Sequence, residues 1–131
     1  MLKYLFSVCI LSSIIFSGCK NAVDPDNASA IAGTYKMTVY NTDAASNSNP
    51  APGNNVILSK IDKNTVKAVV VYSNTSNTVT LDQIAITKSG SNYNLSKSYS
   101  NASASGSVSG STLQLNVNYT NGTYAHITAV K

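Results

Sequence analysis

Apolar and polar residues alternate with a period of two along most of the chain after residue 31. The first clear example is Thr34–Tyr40 (TYKMTVY), in which Tyr35, Met37 and Val39 fall on one face. Successive side chains of a β-strand point to opposite faces, so this alternation predicts a half-buried strand. The pattern recurs in short runs between turn-forming residues, and long runs of helix-forming residues are missing. The sequence therefore predicts an all-β domain of about eight strands.

Two turns in the second half of the chain predict strand pairing. A two-residue turn at Ser89-Gly90 pairs Ile86 with Tyr93 and Ile84 with Leu95, which places all four residues on one face. A register is well defined wherever one face of a strand is buried, because a slip of one residue moves every side chain to the other face.

The second turn, at Gly110-Ser111, has glycine in the first central position, as a type II′ turn requires. It pairs Val108 with Leu113 and Gly106 with Leu115. The inward row of the preceding strand then consists of small residues that permit close packing: Ala102, Ala104, Gly106 and Val108.

The last hairpin needs a three-residue loop. A two-residue turn would put Ile127 on a face of polar residues. A loop of Thr120–Gly122 instead sets Leu115 opposite Ile127 and Val117 opposite Ala125. Because the side-chain period is two, only the longer loop keeps the apolar face continuous.

Strands joined mostly by short connections form an antiparallel meander, which suits either a small barrel or a two-layer β-sandwich. The tripeptide Gly33-Thr34-Tyr35 resembles the G-x-W opening of lipocalin and calycin barrels, with Tyr35 where Trp is usual. The chain is in this respect similar to small lipocalin-like lipoproteins of Bacteroidota. The resemblance implies the barrel, with the sandwich as the alternative.

The N-terminus carries a different pattern. Lys3 precedes a mostly apolar stretch over residues 4–17, which is shorter than the ~20 residues that a membrane-spanning helix needs. The ending Phe16-Ser17-Gly18-Cys19 resembles a bacterial lipobox, although the family usually has Leu where Phe16 stands. The resemblance implies a signal peptide that is cleaved after Gly18 and acyl chains such as palmitate on Cys19. A secreted or differently tethered protein is the alternative.

These patterns predict three segments: a lipoprotein signal peptide over residues 1–18, a lipidated flexible tether over 19–30, and a single all-β domain over 31–131. The protein would then lie at the cell envelope, anchored by lipid to the outer membrane. A long polar segment, residues 41–54, contains two prolines and one glycine and is predicted to be irregular.

Residues with catalytic chemistry are sparse. His126 is the only histidine, and five aspartates are spread over tether, loop, turn and strand. The sequence contains no G-x-S-x-G motif and no glycine-rich phosphate loop. It therefore predicts neither an enzyme nor a metal or cofactor site. The lysines are scattered singly, so a nucleic-acid partner is not expected despite a net charge of +4.

Tyrosine, present eight times, is the best candidate for binding contacts. Three tyrosines fall on predicted inward rows, where they would either line a ligand cavity or pack the core: Tyr35, Tyr93 and Tyr119. Three others lie near loop ends, where an aromatic body with a polar tip suits contact with a protein or a glycan: Tyr40, Tyr99 and Tyr124.

The leading functional hypothesis is a membrane-anchored, non-catalytic binding or structural module. Its partner would be membrane lipid through acylated Cys19, together with an envelope protein, a glycan or a small apolar ligand. The first alternative is a lipocalin-like carrier, which needs a closed apolar cavity larger than about 300 Å³. The second is an inhibitor of an exogenous hydrolase, which needs an ordered, protruding loop such as residues 41–54.

Overall fold

The structure is a computed structural model that describes residues 23–44, 46–47, 49–73 and 75–131. The predicted signal peptide and Cys19 lie outside the described residues. The elements are α1 (Asn27–Ile31), β1 (Gly33–Thr42), β2 (Ser46–Asn47), β3 (Asn55–Asp62), β4 (Thr65–Tyr72), β5 (Asn77–Ser89), β6 (Asn92–Ser98), β7 (Ala102–Ser109), β8 (Thr112–Tyr119) and β9 (Tyr124–Val130).

Apart from the short β2, the described strands close into an antiparallel barrel. From β3 to β9 each strand pairs with the next, and β1 closes the ring by pairing with both β3 and β9. Residues Gly33–Lys36 pair with β3, and Lys36–Thr42 pair with β9. The predicted all-β meander of about eight strands, closed as a small barrel, is confirmed. A two-layer sandwich is excluded, because only a closed barrel leaves its sheet without free edges.

The turns reproduce most of the predicted pairing. Val108 pairs with Leu113 and Leu115 with Ile127, as predicted for the last two hairpins. The prediction for the earlier turn is wrong, because Ile86 pairs with Leu95 across a turn at Gly90-Ser91. Gly90 has a φ of +60° and takes the first central position, where glycine tolerates this conformation.

The small inward row of β7 allows close contact with β8. Ala102, Ala104 and Val108 are buried, and Gly106 pairs with Leu115. A Cβ added to Gly106 would lie 2.2 Å from the carbonyl oxygen of Gln114. Ordinary contact between such atoms needs well over 3 Å, so only glycine fits this position without a shift of the backbone.

Helix α1 closes one end of the barrel. Asp26 caps it, since the Ser29 N–H donates to the Asp26 carboxylate at 3.0 Å. Ala28 and Ile31 are 0% and 1% exposed. The Ala28 N–H donates to the carbonyl of Lys63 in the β3–β4 turn at 2.9 Å. We call this end, with the β3–β4, β5–β6 and β7–β8 turns, the closed end, and the opposite end the open end.

The predicted tether overlaps this helix. Residues 27–31 are helical and three of them, Asn27, Ala28 and Ile31, are buried, so the folded unit begins at Asp26 rather than at Ile31. The reason is tertiary: five residues are too few to form a stable helix alone, and α1 forms because the barrel end buries it. Within the described ranges, no helix has the length and apolarity needed to cross a membrane.

Candidate binding site at the open end of the barrel

The open end holds a cavity of about 740 Å³ that is accessible from solvent. Its wall is formed by the end of β1 with the segment that follows, the β4–β5 turn, the end of β8 and the start of β9. The residues that matter most for its chemistry are Tyr40, Asp43, Asn54, Tyr72, Tyr119 and Tyr124. Cavities that bind small ligands fall in the range of about 300–1,000 Å³ and are largely apolar with a few polar groups.

A β-bulge turns Tyr40 into the cavity. The register of β1 against β9 shifts between Met37 and Val39, so the alternation of faces reverses after Thr38. Tyr40 therefore packs against the core, whereas Val39 is half-buried. The regular alternation predicts Val39 on the inward face and Tyr40 as a surface aromatic, and the bulge overrides this pattern.

Tyr40 and Tyr72 form an aromatic pair in the cavity wall. Their ring centroids are 5.3 Å apart and the rings are tilted by 59°. Such tilted arrangements are favoured for aromatic pairs. Burial raises the pKa of Tyr72, and the hydroxyl of Tyr40 raises it further by hydrogen bonding. The Tyr72 hydroxyl thus remains a neutral phenol well beyond neutral pH.

The opposite wall comes from the β8–β9 hairpin. Tyr119 ends β8 and is half-buried against the core, and Tyr124 begins β9 at the rim, 36% exposed. The backbone N–H of Tyr124 donates to the carboxylate of Asp43 at 3.2 Å. This bond connects the segment after β1 to the β8–β9 hairpin, so the rim is joined across the two strands.

A second group of hydrogen bonds connects the segments on the far side of the rim. The carboxamide oxygen of Asn54 accepts from the backbone N–H of Ser73 at 2.8 Å and from its hydroxyl at 2.9 Å. The carbonyl oxygen of Pro52 also lies 2.9 Å from the Ser73 hydroxyl, as an alternative acceptor for its single hydrogen. At its described positions, the polar segment 41–54 is therefore bonded to the β4–β5 turn and contributes to the cavity wall.

The other tyrosines named from the sequence lie elsewhere. Tyr35 is 1% exposed in the core, and its hydroxyl donates to the carbonyl of Ile31 at 2.6 Å, near the closed end. Tyr93 is half-buried, with the ammonium of Lys88 5.5 Å from its ring centroid, also towards the closed end. Burial raises the pKa of Tyr35.

Tyr99 lies at the open end but outside the cavity. It is half-buried, and its hydroxyl donates to the carbonyl of Asp82 at 2.8 Å. Of the six tyrosines named from the sequence, three line the cavity: Tyr40, Tyr119 and Tyr124. Tyr72 lines it as well and was not singled out from the sequence, although its place at the end of an apolar strand is visible there.

The chemistry of the cavity wall is suited to binding. The cavity combines aromatic rings with neutral hydroxyl and amide groups. Within the described ranges, no three or more His, Cys, Asp or Glu side chains lie together in a way that could hold a metal ion. His126 is exposed on the outer face, with its ring centroid 4.8 Å from that of Tyr124.

The fold and the site define a class: a small antiparallel barrel with one end plugged and an aromatic cavity at the other. Protein-family models, curated proteins and solved structures were compared with this chain, and none of them matches it.

Proposed function

We propose that the protein is a non-catalytic, lipid-anchored binding module of the cell envelope, and that the cavity at the open end holds its ligand. The observation that carries this proposal is the contrast between the two barrel ends. The closed end is plugged by α1, with Ala28 and Ile31 buried. The open end keeps a cavity of about 740 Å³ lined by four tyrosines. A purely structural domain has no need of such a cavity.

A binding module is better supported than a carrier. A carrier encloses its ligand, whereas this cavity is open to solvent and the barrel beneath it is filled by side chains such as Leu113 and Leu115, both 0% exposed. A bound ligand would keep one side in water. The inhibitor hypothesis needs a protruding loop, but the described part of 41–54 contributes Asp43, Ala51 and Asn54 to the cavity wall.

The proposed anchor places the cavity away from the membrane. The chain enters the fold through α1 at the closed end, so an acylated Cys19 would hold that end towards the lipid. Strands of about eight residues, at about 3.3 Å each, put the open end roughly 25 Å farther out, or less where the strands tilt. The ligand is therefore taken from the aqueous side. Four lysines at the closed end are compatible with an anionic lipid surface: Lys60, Lys63, Lys88 and Lys131.

The anchor is tested by expressing the full chain beside its Cys19→Ala variant. The wild-type protein is expected in the membrane fraction, with a mass increase for acyl chains on the mature N-terminus. The variant is expected to lose both. Wild-type protein that is soluble and carries no lipid would contradict the anchor.

Binding is tested with the chain from residue 19 carrying Cys19→Ser, because every described contact of barrel and plug is made within residues 26–131. The probe is N-phenyl-1-naphthylamine, an uncharged dye whose fluorescence rises in apolar surroundings. We expect saturable binding at one site. Tyr72→Ala should raise the dissociation constant about fivefold, since an aromatic contact contributes about 1 kcal/mol. Tyr93→Ala is the matched control, because Tyr93 is also half-buried but lies outside the cavity.

Amide shifts in NMR spectra of the wild-type protein serve as a second readout that does not depend on a variant folding. They should cluster at the open ends of β1, β4 and β8. Dye binding that is equally weakened by Tyr72→Ala and Tyr93→Ala would refute the proposed site, and so would the absence of binding by every probe used here and in the next subsection.

A further inference from the structure

The cavity at the open end has an unusual charge distribution for a site in a basic protein. Among the described residues that line it, Asp43 is the one charged residue, and none is a lysine or a histidine. The net charge of +4 therefore arises elsewhere on the chain.

Among the described residues that line the cavity, no lysine stands beside Asp43. Lys97 lies on the inward row of the barrel wall: it pairs with the buried Ala104, which pairs with Val117, which pairs with Ala125 in the cavity wall. Its backbone is three strand spacings of about 4.8 Å, roughly 14 Å along the wall, from Ala125. Its half-buried side chain is not among those that line the cavity. At the described lining residues, an anion would meet the carboxylate of Asp43 and no lysine.

The neutral groups of the wall suit a ring that has both an apolar face and hydroxyl groups. The rings of Tyr40, Tyr72 and Tyr119 offer apolar faces, and their hydroxyls offer donors and acceptors. Asn54 and Asn77 add carboxamides. Among the described residues, the Nδ2 group of Asn54 has no protein partner, because only its oxygen is bonded to Ser73. A pyranose ring matches these features: its C–H face packs on aromatic rings and its hydroxyls bond to amides.

We infer that the cavity at the open end selects a neutral sugar ring and rejects carboxylates and phosphates. The inference rests on the proposed function and adds the chemical class of the ligand. It separates the site from one for fatty acids or phospholipid headgroups, whose anionic groups would lie beside the carboxylate of Asp43, with no lysine among the described lining residues. A neutral glycan on the aqueous side fits both the chemistry of the wall and the direction in which the cavity opens.

Three methyl glycosides that differ at one group test the inference: methyl β-glucoside, its 6-carboxylate analogue methyl β-glucuronide, and its 2-amino analogue. Binding to the chain from residue 19 with Cys19→Ser is followed by amide shifts in NMR titrations. The glucoside should bind about threefold to tenfold more tightly than the glucuronide. This ratio corresponds to the repulsion between the carboxylates of the glucuronide and Asp43 at about 6 Å in a solvated site. Asp43→Asn and high salt should both reduce this ratio towards one.

Each of the other outcomes contradicts a specific part of this inference or of the proposed function. Equal or tighter binding of the glucuronide refutes the rejection of anions. Binding of the amino sugar more than tenfold tighter than the glucoside makes the site one for cations. If none of the sugars binds while the naphthylamine dye binds in the cavity, the sugar class is wrong and the proposed function stands. If neither sugar nor dye binds, the proposed function fails and this inference fails with it.

Discussion

Gly106 offers the sharpest test of how the barrel packs. In Gly106→Ala, the new methyl carbon would start 2.2 Å from the carbonyl oxygen of Gln114, a backbone atom on the neighbouring strand. A flexible side chain could swing away, but here β7 or β8 must move by about an ångström, since such atoms normally stay about 3.4 Å apart. Inserting a methyl group into a packed interior costs about 1–3 kcal/mol.

That cost is large against a total stability of about 5–15 kcal/mol for a domain. For a chain of roughly 100 residues, the entropy of unfolding of about 2.1 cal/mol/K per residue converts 1–3 kcal/mol into a fall in Tm of about 5–14 °C. Urea denaturation and a thermal scan, both followed by circular dichroism, measure the two quantities.

Ser105→Ala is the matched control, because Ser105 lies on the same strand with its side chain exposed. It should change the free energy of unfolding by less than about 0.5 kcal/mol. If Gly106→Ala were as stable as this control, the close approach of β7 and β8 and the reason for glycine at this position would both be wrong.

Two further predictions concern the closed end. Tyr35→Phe removes the buried hydrogen bond to the carbonyl of Ile31 and should lower the free energy of unfolding, measured by urea denaturation, by about 1–3 kcal/mol. Tyr124→Phe at the rim is the control and should lower it little. Equal effects of the two substitutions would contradict the Tyr35 hydrogen bond. Hydrogen bonds from Lys60 and Ser29 lower the pKa of Asp26 from 3.8 to about 2. The stability that its charge contributes is therefore complete above about pH 4 and is lost as the pH falls through 2. The difference in stability between wild type and Asp26→Asn should follow this course, and a difference that persists unchanged at pH 2 would count against it.

The registers of the last two hairpins could be predicted because turn chemistry and alternation constrain them together. For the loop Thr120–Gly122, a shorter turn would have moved Ile127 to a polar face. Only one loop length kept the apolar residues together, so the sequence alone was sufficient.

The turn between β5 and β6 shows where alternation stops being informative. Turns at Ser89-Gly90 and at Gly90-Ser91 keep the same residues on the inward face, because the pairing differs by two positions. Burial cannot choose between them. The conformation of Gly90 does, since a positive φ is needed at the first central position. The same rule gives the observed pairing at Gly110, and at Gly90 it selects the observed turn.

The cavity could not be predicted from the sequence, for two physical reasons. The bulge at Thr38 that turns Tyr40 inward leaves no mark on an otherwise regular alternation. The second reason is α1, whose short stretch has no periodicity and folds only against the β3–β4 turn. Without these two features, neither the identity of the open end nor the set of tyrosines that line it could be derived.

The route by which the chain enters the fold also determines how the protein would bear force. With the proposed anchor and ligand, a pull between the membrane and the open end would act on α1 first, because residues 23–26 lead directly into that helix. α1 is held by a few local contacts, including the Asp26–Lys60 ion pair and the bond from Ala28 to Lys63. The barrel strands are held by ladders along their whole length. Under load the plug would detach before the barrel opens, lengthening the tether while the ligand stays bound.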